Sequence, residues 1–93
     1  MIAVVAKIKV KQGSADAFVA TANELAAASR AEPGCLEYAL WRTEDPDTFA
    51  FLERYQDEAA VEFHRKSDHF RQIGKRLGEH MEGRPEISRL FSM

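Results

Sequence analysis

The chain has 93 residues, 45% of them hydrophobic, with a formal net charge of −2 and a pI near 5.9. That length allows a single domain, 1–93, and the faintly acidic balance argues against a nucleic-acid-binding surface. A lone domain of this size buries only ~60–65% of its unfolded surface, so a partner subunit would add stability.

In chain order, the N-terminal MIAVVAKIKVKQG is an apolar run broken at Lys7. It lacks the basic start, long apolar stretch and cleavage site of a signal peptide. No segment approaches the ~20 apolar residues that cross a bilayer. The expectation is a cytoplasmic protein with no membrane partner. A single cysteine, Cys35, excludes an internal disulfide and reads as a thiol in a reducing compartment.

Residues 2–10, rich in Ile and Val, read as a strand ended by the turn Lys11-Gln12-Gly13. Ser14 is placed to cap a helix running to about Ala31, in which Phe18, Ala22 and Leu25 recur at helical spacing. Glu32-Pro33-Gly34 stops it. CLEYALWRT (35–43) and TFAFLERYQ (48–56) form two strands around the polar turn Glu44-Asp45-Pro46-Asp47, and together read as a hairpin. Asp57 can cap a helix over 58–66, with Glu58 favourably placed for the helix dipole. Ser67 can cap a further segment to about Met81, and residues 86–92 suit a last strand. The order β-α-β-β-α-β, its second helix broken in two, predicts an α+β, ferredoxin-like split βαβ fold: an antiparallel sheet with helices on one face.

The strands are apolar on both sides. Ile2, Val4, Ala6 and Ile8 alternate with Ala3 and Val5, and Phe49 and Phe51 alternate with Ala50 and Leu52. Two helices cover only one face, so the other wants a further layer. A sheet-to-sheet homodimer is the simplest answer; an incidentally apolar edge is the plainer one.

The two histidines of HRKSDHF (64–70) could form a metal site, supply a base in an apolar pocket, or simply sit at a helix junction. His64 and His69 stand five apart with a capping Ser between them, which is not the one-turn spacing of an HExxH site. His80 is the only other histidine, and no Cys or paired Asp completes a usual ligand set, so no metal is expected. A histidine titrates near ~6.5 and can serve as a base at the wall of an apolar pocket. Gly74 and Gly78, and on the preceding helix Ala59 and Ala60, remove side chains beside Phe63, Phe70, Leu77 and Met81. Either these small residues leave room for a flat apolar ligand, or they let backbones pack closely.

By the two-residue strand period, Glu53 and Tyr55 share a side with Phe49 and Phe51. Glu53 could orient a histidine, hold a substrate hydroxyl, or pair with Arg42 on the neighbouring strand. Tyr38 and Trp41 project to opposite faces, so one of them at most shares the pocket. Arg71, Lys75 and Glu79 read as a solvated helix face. With no GxGxxG, Walker loop, CxxC or Ser nucleophile motif, no cofactor is expected.

The strand-one opening, EPGCLEY, FLERYQDEAAVEFH and SDHF together resemble the antibiotic biosynthesis monooxygenase (ABM) domain family across essentially the whole chain. The resemblance implies a ferredoxin-like domain that dimerises through its sheet into an α+β barrel. It also implies oxygenation of quinols or polycyclic phenols without metal or flavin. In the haem-degrading branch an axial His would fall at Gly74, and its Asn and Trp positions at Ala6 and His64, three departures that argue against haem. An isomerase branch, acting on a phosphorylated autoinducer-2 derivative, is similar through Glu-x-Tyr, the AVxFH segment, the second His before an aromatic, and the closing LF. On this reading His64, His69 and Glu53 are the catalytic candidates. Phe51, Tyr55, Phe63, Phe70, Gly74, Leu77 and Met81 are the substrate-binding ones. The substrate would be a small aromatic or a hydroxyketone, which for an isomerase needs Arg42, Arg54 or Arg71 to hold its phosphate. A dimeric binder without turnover is the third possibility.

Overall fold

A computed structural model describes all residues, Met1–Met93. Its elements are β1 (Ile2–Lys9), α1 (Ala15–Arg30), β2 (Cys35–Arg42), β3 (Thr48–Tyr55), α2 (Glu58–Lys66), α3 (Asp68–Gly78) and β4 (Glu86–Phe91). The four strands form one antiparallel sheet in the order β2-β3-β1-β4. The helices lie on one face of it, as the split βαβ order requires. No helix is long and apolar enough to cross a membrane.

Capping chemistry sets the helix ends. The Asp57 carboxylate accepts from the Ala60 amide at 3.0 Å and starts α2. The Ser67 hydroxyl accepts from the Phe70 amide at 3.2 Å and donates to the His64 carbonyl at 2.7 Å. One side chain thereby closes α2 and opens α3, and it holds the two histidine-bearing helices at a fixed corner. Ser14 sits at the start of α1, but its hydroxyl caps nothing. Its backbone (φ −103°, ψ 3°) is not in the extended region from which an N-cap side chain reaches the next amides. Helix α3 ends at Gly78 rather than near Met81, which instead bridges to Val10 at the sheet margin.

Between α1 and β2 the chain turns at Gly34, whose φ of +84° suits glycine alone. A Cβ there would also stand 2.7 Å from the Cβ of Ala60. Small residues at 34 and 60 therefore let the turn seat against α2.

The helix-covered face carries Ile2, Val4, Ala6 and Ile8 of β1 and Phe49, Phe51, Glu53 and Tyr55 of β3, all buried. Phe18, Ala22 and Leu25 of α1 are buried against this face, with Phe18 and Phe49 ring centroids 5.4 Å apart. The opposite face has no helix over it. Register places Ala3, Val5, Ala39, Trp41, Ala50, Leu52 and Leu90 there, with Trp41 and Leu90 each more than half exposed. Tyr38 and Trp41 thus face opposite ways, as their spacing predicts. Arg42 lies opposite Phe49 at the far end of the sheet, so it cannot reach Glu53; Glu53 stands opposite Tyr38 and Val4 instead.

Candidate active site

Between the sheet and helices α2 and α3 lies a cavity of about 450 Å³, within the range of small-molecule sites. Its floor is strand side chains: Val4, Ala6 and Ile8 from β1, Phe51, Glu53 and Tyr55 from β3, and Tyr38 from β2. Its roof is Val61 and His64 from α2 with Phe70, Gly74 and Leu77 from α3. At Gly74 an added Cβ would meet no atom within 4 Å, so the missing side chain is open space. Leu25 of α1, Met81, Pro85, Ile87, Arg65 and Arg89 complete the lining.

His64 is the basic group of the roof. It is 4% exposed, with Phe70, Tyr38 and Tyr55 rings 4.7, 5.2 and 5.6 Å away. Its Nδ1 meets Oε2 of Glu32 at 2.8 Å, while no protein group partners its Nε2. A carboxylate on Nδ1 favours the tautomer with its proton there, which leaves the Nε2 lone pair free. Burial pushes the His64 pKa below its ordinary value, and the pull of Glu32 in the other direction does not overcome it.

The same Glu32 oxygen also receives Nε2 of His69. Glu32 is 6% exposed, and its other oxygen, Oε1, is buried without a partner. The three ligating atoms lie within 4.8 Å of one another, so the third group that the sequence lacked is supplied by Glu32. The 2.8 Å contact between His64 Nδ1 and Glu32 is at hydrogen-bond distance.

On the floor, the Tyr55 hydroxyl donates to Oε1 of Glu53 at 2.6 Å. Burial pushes the Glu53 pKa up to about 7, against the opposing hydrogen bonds from Tyr55 and Tyr38. Burial and the nearby carboxylates push both tyrosine hydroxyls well above their ordinary range, so both remain proton donors. An apolar cavity with two polar groups shifted toward neutrality from opposite sides is the pattern of a site that moves protons.

The structure brings His64, Glu53, Phe51, Tyr55, Phe70, Gly74, Leu77 and Met81 to this one cavity. Two expected residues are not on its wall. Phe63 is half exposed on the outer side of α2, one position from His64 and so about 100° around the helix. His69 is not among the lining residues; its Nε2 meets the Glu32 carboxylate that also holds His64. Ala59 and Gly78 are exposed, and Ala60 packs on the Gly34 turn, so of the small residues only Gly74 opens the cavity. Arg42 is remote, Arg54 pairs with Glu37 at 2.6 Å, and Arg71 pairs with Asp68. The arginines on the cavity are Arg65 and Arg89, and Arg89 pairs with Glu58 at 2.8 Å. Sequence reasoning missed Glu32, which it treated only as part of a helix stop, and left Tyr38 unplaced. A carboxylate spent immediately before Pro-Gly, in a chain with two unassigned histidines, was the available cue.

A sequence model of the family described as "Antibiotic biosynthesis monooxygenase" (ABM) matches residues 1–76. The chain belongs to the ABM family. It is 41% identical over 71 residues to the Bacillus subtilis protein named "Putative monooxygenase YcnE", covering 75% of each chain. It is 30% identical over 78 residues to "Putative monooxygenase Rv0793" of Mycobacterium tuberculosis, covering 84% of this chain and 77% of that one. Among solved structures, the "putative antibiotic biosynthesis monooxygenase" from Caulobacter crescentus superposes with TM-score 0.94 at 35% identity. That match covers 99% of this ABM chain and 89% of the other. These relatives agree with the fold and family read from the sequence.

Proposed function

We propose that this ABM chain is a cofactor-independent monooxygenase that oxidises quinols or polycyclic phenols, with His64 as its base. The observation that supports this most is His64 itself: Nδ1 is held by a buried carboxylate, and Nε2 is unpartnered at the wall of an apolar, aromatic-lined cavity. Glu32 is the positioning residue of that pair. Ground-state dioxygen accepts electrons one at a time, so the substrate must be made electron-rich. His64 Nε2 takes the phenolic proton, and the apolar walls limit solvation of the resulting anion and keep it reactive.

For an anthrone-like substrate the balance closes without an external reductant. The anion passes one electron to dioxygen, and superoxide and the carbon radical combine into a peroxide that recovers the proton from His64. The O–O bond then breaks, leaving a ring C=O and releasing water. The CH₂ carbon supplies all four electrons. The neutral form of Glu53, which accepts the Tyr55 hydroxyl proton on Oε1, would donate its own proton to a substrate oxygen.

Oxygen uptake with reduced naphthoquinols and anthrones, corrected for autoxidation, tests this. Uptake should depend on the protein and fall by ~10²–10⁴ in His64→Ala, the usual contribution of a general base. Equal uptake by the variant would remove His64 from the mechanism.

A second reading, isomerisation of a small phosphorylated hydroxyketone, draws on Arg65 at the cavity, where an anionic group could be held, and on Arg89 only if it leaves Glu58. It predicts turnover without oxygen and a raised KM in Arg65→Gln. We also propose that a second copy of the chain covers the apolar open face of the sheet, since Trp41, Leu52 and Leu90 there have no layer over them.

A further inference from the structure

If His64 is the base, two features of the site have no part in the chemistry described above. They are the buried, unpartnered Oε1 of Glu32, and His69. We propose that Glu32 joins His64 and His69 into a unit holding a single positive charge, so that a proton gained by His64 inside the cavity is matched by one released from His69 to solvent. The inference deepens the base reading and rests on it.

Both rings converge on one oxygen, Oε2, of a carboxylate whose side chain is 2% exposed. A buried carboxylate with one oxygen unpartnered is costly unless a cation compensates it. One imidazolium does so. Two would place like charges on the same oxygen, with ring centroids 6.3 Å apart in a poorly solvated site. The resting charge belongs on His69, whose side chain is 27% exposed against 5% for His64 and whose Nδ1 has no protein partner. When a substrate O–H proton moves to His64 Nε2, the N–H proton of His69 Nδ1 leaves to water. The exchange reverses when His64 returns its proton. No electrons move, and the unit ends as it began.

Other titratable groups turned toward the pair are Tyr38 and Cys35 from β2 and Glu53 and Tyr55 from β3. Both tyrosines and the thiol stay protonated through the neutral range, the thiol pKa being pushed up to about 11 by burial. Glu53 titrates, so the experiment is repeated on a Glu53→Gln background.

Nitrogen-15 NMR titration of the histidine rings in the full chain, without substrate and with EDTA present, tests the coupling. His69→Gln keeps an amide donor for Glu32 but cannot take up a proton. In it the His64 midpoint should rise by about one pH unit or more, as for strongly interacting sites. In Glu32→Gln the carboxylate that compensates the charge is lost, and the His64 midpoint should fall. A His64 midpoint unchanged in His69→Gln would overturn the proposal, whatever becomes of Glu32→Gln. Where oxygen uptake is found, the pH optimum of His69→Gln should move to the alkaline side with the midpoint; an unmoved optimum would end the catalytic half of the idea. A chain that shows the coupled titration but no uptake with any substrate would leave the charge unit standing and the oxygenase reading refuted.

Discussion

The Tyr55 hydroxyl donates to Glu53 across 2.6 Å from two residues further along the same strand. The strand period puts both on the covered face, and Tyr38 faces them from β2, so the carboxyl is enclosed by hydroxyls and apolar walls. Burial outweighs the hydrogen bonds, and the pKa rises from 4.5 to about 7. A group whose folded pKa lies above its unfolded one contributes stability fully below about pH 4.5 and loses it as pH rises toward 7.

Glu53→Gln should therefore flatten the fall in stability between those pH values and stabilise the chain above them, by on the order of 3 kcal/mol. Urea denaturation of both proteins at pH 4.5, 6 and 8 measures this. A variant no more stable than wild type at pH 8 contradicts the raised pKa.

Gly74 sits on α3 with open space where a side chain would be. Gly74→Leu should gain about 1 kcal/mol of stability from helix propensity and fill the cavity at the same time. Melting with and without a polycyclic phenol would show a higher Tm but no ligand-induced rise. Retained ligand stabilisation would mean that the ligand binds elsewhere.

Leu52 is centred on the open face between Val5 and Ala39. If a second copy covers that face, Leu52→Glu should dissociate it without altering the circular dichroism, because the position is not in the helix-covered core. Light scattering would read a dimer for wild type and 10.5 kDa for the variant. A monomeric wild type at all concentrations removes the proposed dimer.

Gly34 combines a positive φ with a close approach to Ala60. Gly34→Ala should cost about 2 kcal/mol or more, one part from the left-handed backbone and one from the clash. Adding Ala60→Gly should recover the second part only. Full recovery in the denaturation midpoint would show that the backbone contributes nothing.

Much of the architecture was open to reading in one dimension. The alternation of β1 and β3, the caps Asp57 and Ser67, and the stop at Pro33-Gly34 each act over a few residues, so local pattern carried them. Ser14 shows the limit: its residue type suits a cap, yet the backbone angles that decide whether the hydroxyl reaches an amide come from how the turn docks. Phe63 and His64 show another. Both lie on α2, and only the angle at which that helix meets the sheet turns His64 inward and Phe63 outward.

By itself, the sequence determined the order of elements, the two-sided sheet and the family, because periodicity and capping are short-range consequences of side-chain shape and polarity. Only the tertiary structure decided the site. Glu32, His64 and His69 come from a turn and two helices, 32 and 37 residues apart for the two contacts with Glu32. Their meeting at one carboxylate oxygen depends on the seating of the Gly34 turn against α2 and on the corner held by Ser67. Burial then sets their charges, and burial is a property of the packed chain.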